Sequence, residues 1–139
     1  MKKQLLLSLT VLIFASGCAI GGVKQPQQSL IGKWTGNLPD GYVFMIHFKD
    51  DKNVEGNIKG AKGMEYTAKY TIDFSTKPIS IDFFDFDNEQ MKKLQMENLH
   101  WVGIIKFIEK NKLFFRANVD TQRGRPTNFD SEAIELTRE

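Results

Sequence analysis

The chain has a single cysteine, Cys18, so no disulfide can form within it and a packed core must supply its stability. Histidine is nearly as scarce. A zinc site needs three or four clustered ligands at a recognisable spacing, and His47 and His100 stand apart without a second thiol; they read as ordinary polar residues of a sheet, and no metal is expected. Charge of one sign is lacking too. Of the 19 lysines and arginines, Lys2 and Lys3 open the chain, and the other 17 balance 17 aspartates and glutamates. A neutral surface argues against a nucleic-acid partner, which demands a basic face, and against steering of anions. There is no G-x-S-x-G, no H-E-x-x-H and no phosphate loop. Ser75, Ser80 and Ser131 therefore lack a nucleophile's setting; no catalytic residue and no cofactor is expected.

Aromatics are plentiful: eleven Phe, three Tyr and two Trp. They fall largely in runs that alternate with period two, the mark of half-buried strands. Leu30, Gly32, Trp34 and Gly36 share one face; Tyr42, Phe44, Ile46 and Phe48 follow the turn Leu38–Gly41. Val54, Gly56 and Ile58 form a third strand. The most regular is the fourth, with Met64, Tyr66, Ala68, Tyr70, Ile72 and Phe74 on one side. Ile79, Ile81 and Phe83 open a fifth, Trp101–Ile108 a sixth, Leu113–Val119 a seventh, and Ile134 and Leu136 mark the last. No long helix recurs between them, which excludes a parallel α/β sheet. The expected fold is all-β: an antiparallel up-and-down barrel of about eight strands, because closure removes both exposed edges.

Before the barrel, Met1-Lys2-Lys3 leads into the apolar run Leu5–Ala15, then Ala15-Ser16-Gly17 and Cys18. This order resembles a bacterial lipoprotein signal with its lipobox. The resemblance implies cleavage after residue 17, acylation of Cys18, and a membrane partner through the lipid anchor. Ala19, in place of an aspartate, implies the periplasmic face of the outer membrane in a host with two membranes. An uncleaved membrane helix is the competing reading, since the uncharged stretch continues to Val23, but its second half is rich in Gly, Ala and Ser. The domain plan is thus a signal at 1–17, a lipidated cysteine and flexible tether at 18–29, and the barrel at 30–139.

Three features interrupt the strand pattern. Asp87 with Gln90 three residues on suggests a helix start, and roughly 88–97 reads as a short helix or lid-like loop carrying Met91 and Leu94. Asp82, Asp85, Asp87 and Glu89 form the densest acidic patch; without the glycine and spacing of a calcium loop, they read as a solvated strand end. Phe83-Phe84-Asp85-Phe86 and Trp101–Ile105 are apolar on both faces. Either segment 88–97 covers the outer face, or that face docks onto a partner.

Gly32-Lys33-Trp34 matches the G-x-W motif of lipocalins. Lys77-Pro78-Ile79-Ser80-Ile81-Asp82 resembles the K-P-x-x-I-D segment of a bacterial lipocalin-like domain family. Gly103-Ile104 and Arg125-Pro126-Thr127-Asn128-Phe129 fit its later motifs in order. The resemblance spans about residues 30–138 and implies that Trp34 closes the barrel base beneath a C-terminal arginine, Arg138, with Gly32 beside it. It implies no activity. Two functions remain open: a barrel binding a small apolar ligand, with Tyr42, Phe44, Tyr66 and Tyr70 facing inward, or a solid barrel docking an envelope protein through apolar outer strands.

Overall fold

The computed structural model describes residues 26–93, 98–119 and 121–139. The signal expected at 1–17, Cys18, the first part of the expected tether and Leu94 lie outside them. Eight strands run in chain order around a closed barrel: β1 (Gly32–Asn37), β2 (Val43–Phe48), β3 (Asn53–Lys59), β4 (Tyr66–Asp73), β5 (Ile79–Asp87), β6 (Trp101–Glu109), β7 (Lys112–Asn118) and β8 (Ile134–Arg138). Every neighbouring pair is antiparallel, and β1 closes on β8 through the pairs Trp34–Arg138 and Thr35–Thr137. The lower end carries the β2–β3, β4–β5 and β6–β7 turns. The upper end carries the other connections, including a short helix, α2 (Glu89–Lys93), and a 3-10 turn at Thr121–Arg123.

Alternation places one row of each strand inside. Phe44, Ile46 and Phe48 of β2, Tyr66, Ala68 and Tyr70 of β4, Ile81 and Phe83 of β5, and Leu113 and Phe115 of β7 are all buried. Rings fill the interior against one another: Phe44 stacks on Phe115 at 5.7 Å, and Phe48 meets Tyr70 edge-on at 4.9 Å. Each such side chain contributes about 1.5–3 kcal/mol by leaving water. Gly56 sits beneath the Tyr66 ring, where any Cβ would strike the phenol, so a large residue on β4 requires a glycine opposite it.

Several expectations change. Residues 26–29, expected in the tether, belong to a helix α1 (Pro26–Leu30). Proline suits a helix start, Leu30 is fully buried, and the Gln27 side chain donates to the Asp51 carbonyl. β4 begins at Tyr66, leaving Met64 43% exposed. The α2 cap is Asn88, not Asp87: its Oδ1 accepts the Met91 amide at 2.9 Å, while Asp87 ends β5.

The largest change concerns the two-faced apolar strands. Asp85 adopts φ 52°, and the β4–β5 register slips there, so three steps along β5 oppose two along β4. This bulge turns both Phe83 and Phe86 inward and leaves Asp85 exposed. On β6, Ile105 faces in and Ile104 faces out, yet Ile104 is 1% exposed. The β7–β8 loop lies over this outer face. Its Arg125 donates to the Gly103 carbonyl at 2.8 Å and pairs with Asp82 at 2.6 Å, while Arg116 of β7 holds Asn128, Asp130 and Glu132. α2, the described part of the 88–97 segment, does not cover that face. Its Met91, with Leu99 beyond, packs instead on the core at the upper end.

A left-handed backbone suits aspartate and opposes branching at Cβ. Asp85→Val is expected to lower stability by about 1–2 kcal/mol in urea unfolding, with Asp85→Gly tolerated. A valine variant with an unchanged midpoint would contradict the bulge.

Candidate functional site

The two ends of the barrel differ in kind. At the lower end Trp34 is fully buried, and its Nε1–H donates to the Leu30 carbonyl at 2.7 Å. The Arg138 guanidinium lies 4.5 Å from the Trp34 ring centroid and donates to the Ile31 carbonyl at 2.7 Å. A cation over an indole face is attracted by the ring quadrupole. Gly32, at φ 133°, leaves room for this arginine; a Cβ there would come within 3.3 Å of it. Trp34, Arg138 and Gly32 thus meet in one cluster that plugs this end. Tyr70 adds to the seal: it is 1% exposed, and its hydroxyl donates to the Asp50 carbonyl at 2.7 Å. Asp50 in turn accepts from the Lys52 and Asn53 amides, and those bonds, with the Asn53 side chain foremost, hold its carboxyl below the usual value.

The upper end has no such plug. Beneath Met91 lies an aromatic cluster: Phe86 and Trp101 at 4.7 Å, Tyr66 at 5.4 Å from each, and Phe83 at 6.2 Å from Trp101. Two of its members carry donors. The Tyr66 hydroxyl and the Trp101 indole nitrogen are both buried, and neither has a hydrogen-bond partner. Burying a polar group unpaired costs about 1–3 kcal/mol, so two in one cluster mark a place where an acceptor fits. α2 itself has no buried residue. It is tied down by Asn88, whose side-chain amide donates to the Gly63 and Glu65 carbonyls, and by an exposed Lys92–Asp87 ion pair.

The four residues expected to face a ligand are not brought together. Phe44 and Tyr70 are packed against other rings in the interior, and Tyr66 alone stands in the upper cluster. Tyr42 does not face inward: it precedes β2 and is 43% exposed. Phe86 and Trp101 were not singled out as ligand contacts, because without the bulge Phe86 falls on the outer face. Of the polar candidates, His47 lies outside next to Glu55 at 3.7 Å, and His100 is 4.0 Å from Asp82. Asp82 is clamped by Arg125, Asp85 by Lys69 at 2.9 Å, and Asp87 and Glu89 both face Lys92. Among the described residues, no three or more acids, histidines or cysteines form a metal-binding group.

No protein-family model matches the chain, and comparison with curated proteins and with solved structures finds no match either.

Burial pushes the Tyr66 phenol well above the ordinary tyrosine value, and burial does the same for Tyr70, partly offset by Gln27. The fold therefore keeps protons that the unfolded chain gives up near pH 10. Their contribution is complete below about pH 10 and is lost as pH rises through the folded values. Alkaline titration should show the phenolate absorbance of both residues appearing only with unfolding. Their ionisation near pH 10 with the barrel intact would contradict this packing.

Proposed function

We propose that the protein is a lipid-anchored, lipocalin-like barrel of the cell envelope that binds a small, largely apolar molecule beneath the α2 cap. The anchor reading rests on the Lys2-Lys3, apolar, Ala-Ser-Gly-Cys18 order and sets the barrel on the periplasmic face of the outer membrane. The binding reading is carried by one observation: the unpaired Tyr66 hydroxyl and Trp101 indole N–H, buried together among rings under a helix that has no buried residue of its own. Such a site selects a molecule with an apolar body and at least one acceptor oxygen, since a ligand of that kind restores the missing hydrogen bonds while burying its remainder against Phe86 and Phe83. Because the rest of the interior is filled by its own side chains, the ligand is small and held at the upper end rather than down the barrel axis.

Binding rather than turnover is supported by the state of the sequence's acidic patch and its histidines: Asp82, Asp85, Asp87 and Glu89 face cations, and His47 and His100 face Glu55 and Asp82, all on the outside. The alternative of docking an envelope partner through the β5–β6 outer face has less apolar surface behind it, since Phe86 turns inward and the β7–β8 loop lies over Ile104.

Native mass spectrometry of the folded protein, isolated gently from bacteria, should give an added mass that is lost on denaturation. Tyr66→Phe is expected to cut the bound fraction about tenfold, the worth of one buried hydrogen bond. It should leave the ligand-free protein as stable or about 1 kcal/mol more so, because an unsatisfied hydroxyl is gone. A bare mass after incubation with envelope lipid extract, or unchanged ligand content in the variant, would sink this reading.

A further inference from the structure

A second cleft lies at the other end of the molecule. It runs along the lower rim between the β4–β5 turn and residues 127–129 of the β7–β8 loop, with a volume of about 830 Å³. That is within the range of about 300–1,000 Å³ found for small-molecule sites. Phe74 and Pro78 line one wall; Phe114 and Phe129, with ring centroids 6.0 Å apart, line the other. All four are half-buried, so the cleft holds apolar surface that the fold leaves partly wet. Two lysines border it, Lys77 on the turn and Lys106 on β6. Both are exposed, and neither has an ion-pair partner among the described residues. An apolar trough with two unpaired cations beside it is complementary to one kind of molecule: an acyl chain ending in an anionic headgroup.

Location chooses the source of that molecule. The chain enters the fold at α1, on the lower end, where Gln27 ties it to the β2–β3 turn. Cys18 lies eight residues before Pro26. A fully extended chain covers about 3.5 Å per residue, so a lipid on Cys18 holds this end within about 28 Å of the bilayer. This step rests on the anchor reading above.

We propose that the lower-rim cleft takes an acyl chain of an anionic bilayer phospholipid, with Lys77 and Lys106 on its phosphate. The Cys18 anchor and the cleft then act as two attachments on one face. The acylated Cys18 holds the protein at the bilayer, and a second contact on the same face fixes its orientation there. The upper end, with α2, is left pointing away from the membrane.

The test uses the full protein isolated from bacterial cells and placed in phosphatidylethanolamine–phosphatidylglycerol vesicles. These carry a trace of phosphatidylglycerol with a photoactivatable acyl chain. Expected is crosslinking in peptides covering 74–79 and 127–129, reduced at least fivefold in a K77E/K106E variant and likewise with a phosphatidylcholine probe. Both lysines are exposed, so the variant keeps the fold, which circular dichroism and thermal melting verify. Absence of label from both peptides, or equal label in the charge-reversed protein, would overturn the proposal. The mass of the Cys18 peptide separates the two readings. Lipidated Cys18 without cleft labelling removes the cleft alone; cleft labelling with an unmodified Cys18 keeps the cleft and removes the anchor.

Discussion

Closure of β1 on β8 is the constraint on which this molecule depends. Joining the two edges of an eight-stranded sheet is the one arrangement that removes them altogether. The join is narrow, with Trp34 opposite Arg138 and Thr35 opposite Thr137. What fastens it is the indole of Trp34, which bonds to α1 through Leu30 and lies beneath the Arg138 guanidinium, itself bonded to Ile31. One residue thus ties the entering helix, the first strand and the last strand together. The residue two before it sits at φ 133°, a backbone that favours glycine, and a Cβ there would also crowd the arginine at 3.3 Å.

From that seam the inequality of the two ends follows. The lower end is held by the Arg138 guanidinium, which lies over Trp34 and donates through Nη1 to the Ile31 carbonyl, and by the Tyr70–Asp50 bond across the β2–β3 turn. The upper end is held by a five-residue helix resting on Met91 and anchored by Asn88. Beneath it, Tyr66 and Trp101 keep donors unpaired. A fold selected for stability alone places phenylalanine at position 66. The hydroxyl that remains there is a cost of about 1–3 kcal/mol that an acceptor bound beside it would remove. The chain thus combines a sealed end, where α1 enters the barrel, with a lightly covered end that is chemically incomplete.

The strands were legible because period-two alternation is a direct consequence of one wet and one dry face. β4 is the clearest instance, and even there the pattern ran past the true end at Met64. Gly32, Trp34 and Arg138 could be grouped because a motif and strand parity agreed. What escaped was whatever broke parity or acted at a distance. A single left-handed residue, Asp85, reverses the face of Phe86, and no local pattern separates that from a strand with two apolar sides. The β7–β8 loop carries few apolar residues, so nothing in it announced that Arg125 would reach two strands away to cover Ile104. Residues 26–29 read as flexible because the stretch is rich in glutamine, yet they belong to a helix that ends on the buried Leu30, whose carbonyl accepts the Trp34 indole N–H. The candidate site suffered most. Its central pair, Tyr66 and Trp101, lies on strands that are not neighbours, and an unpaired donor is a property of a packed interior that composition cannot express.

The central claim is that one end is part of the cooperative barrel while the other opens above a site. Amide hydrogen exchange, followed residue by residue, addresses it directly. The account predicts that amides of the β1–β8 seam around Trp34, Thr35 and Thr137 exchange only with global unfolding. Those of α2, Glu89 to Lys93, exchange many times faster through a local opening that leaves the seam protected. Equal protection at α2 and at the seam would contradict it, for the upper end would then be sealed as firmly as the lower and no ligand could pass beneath Met91.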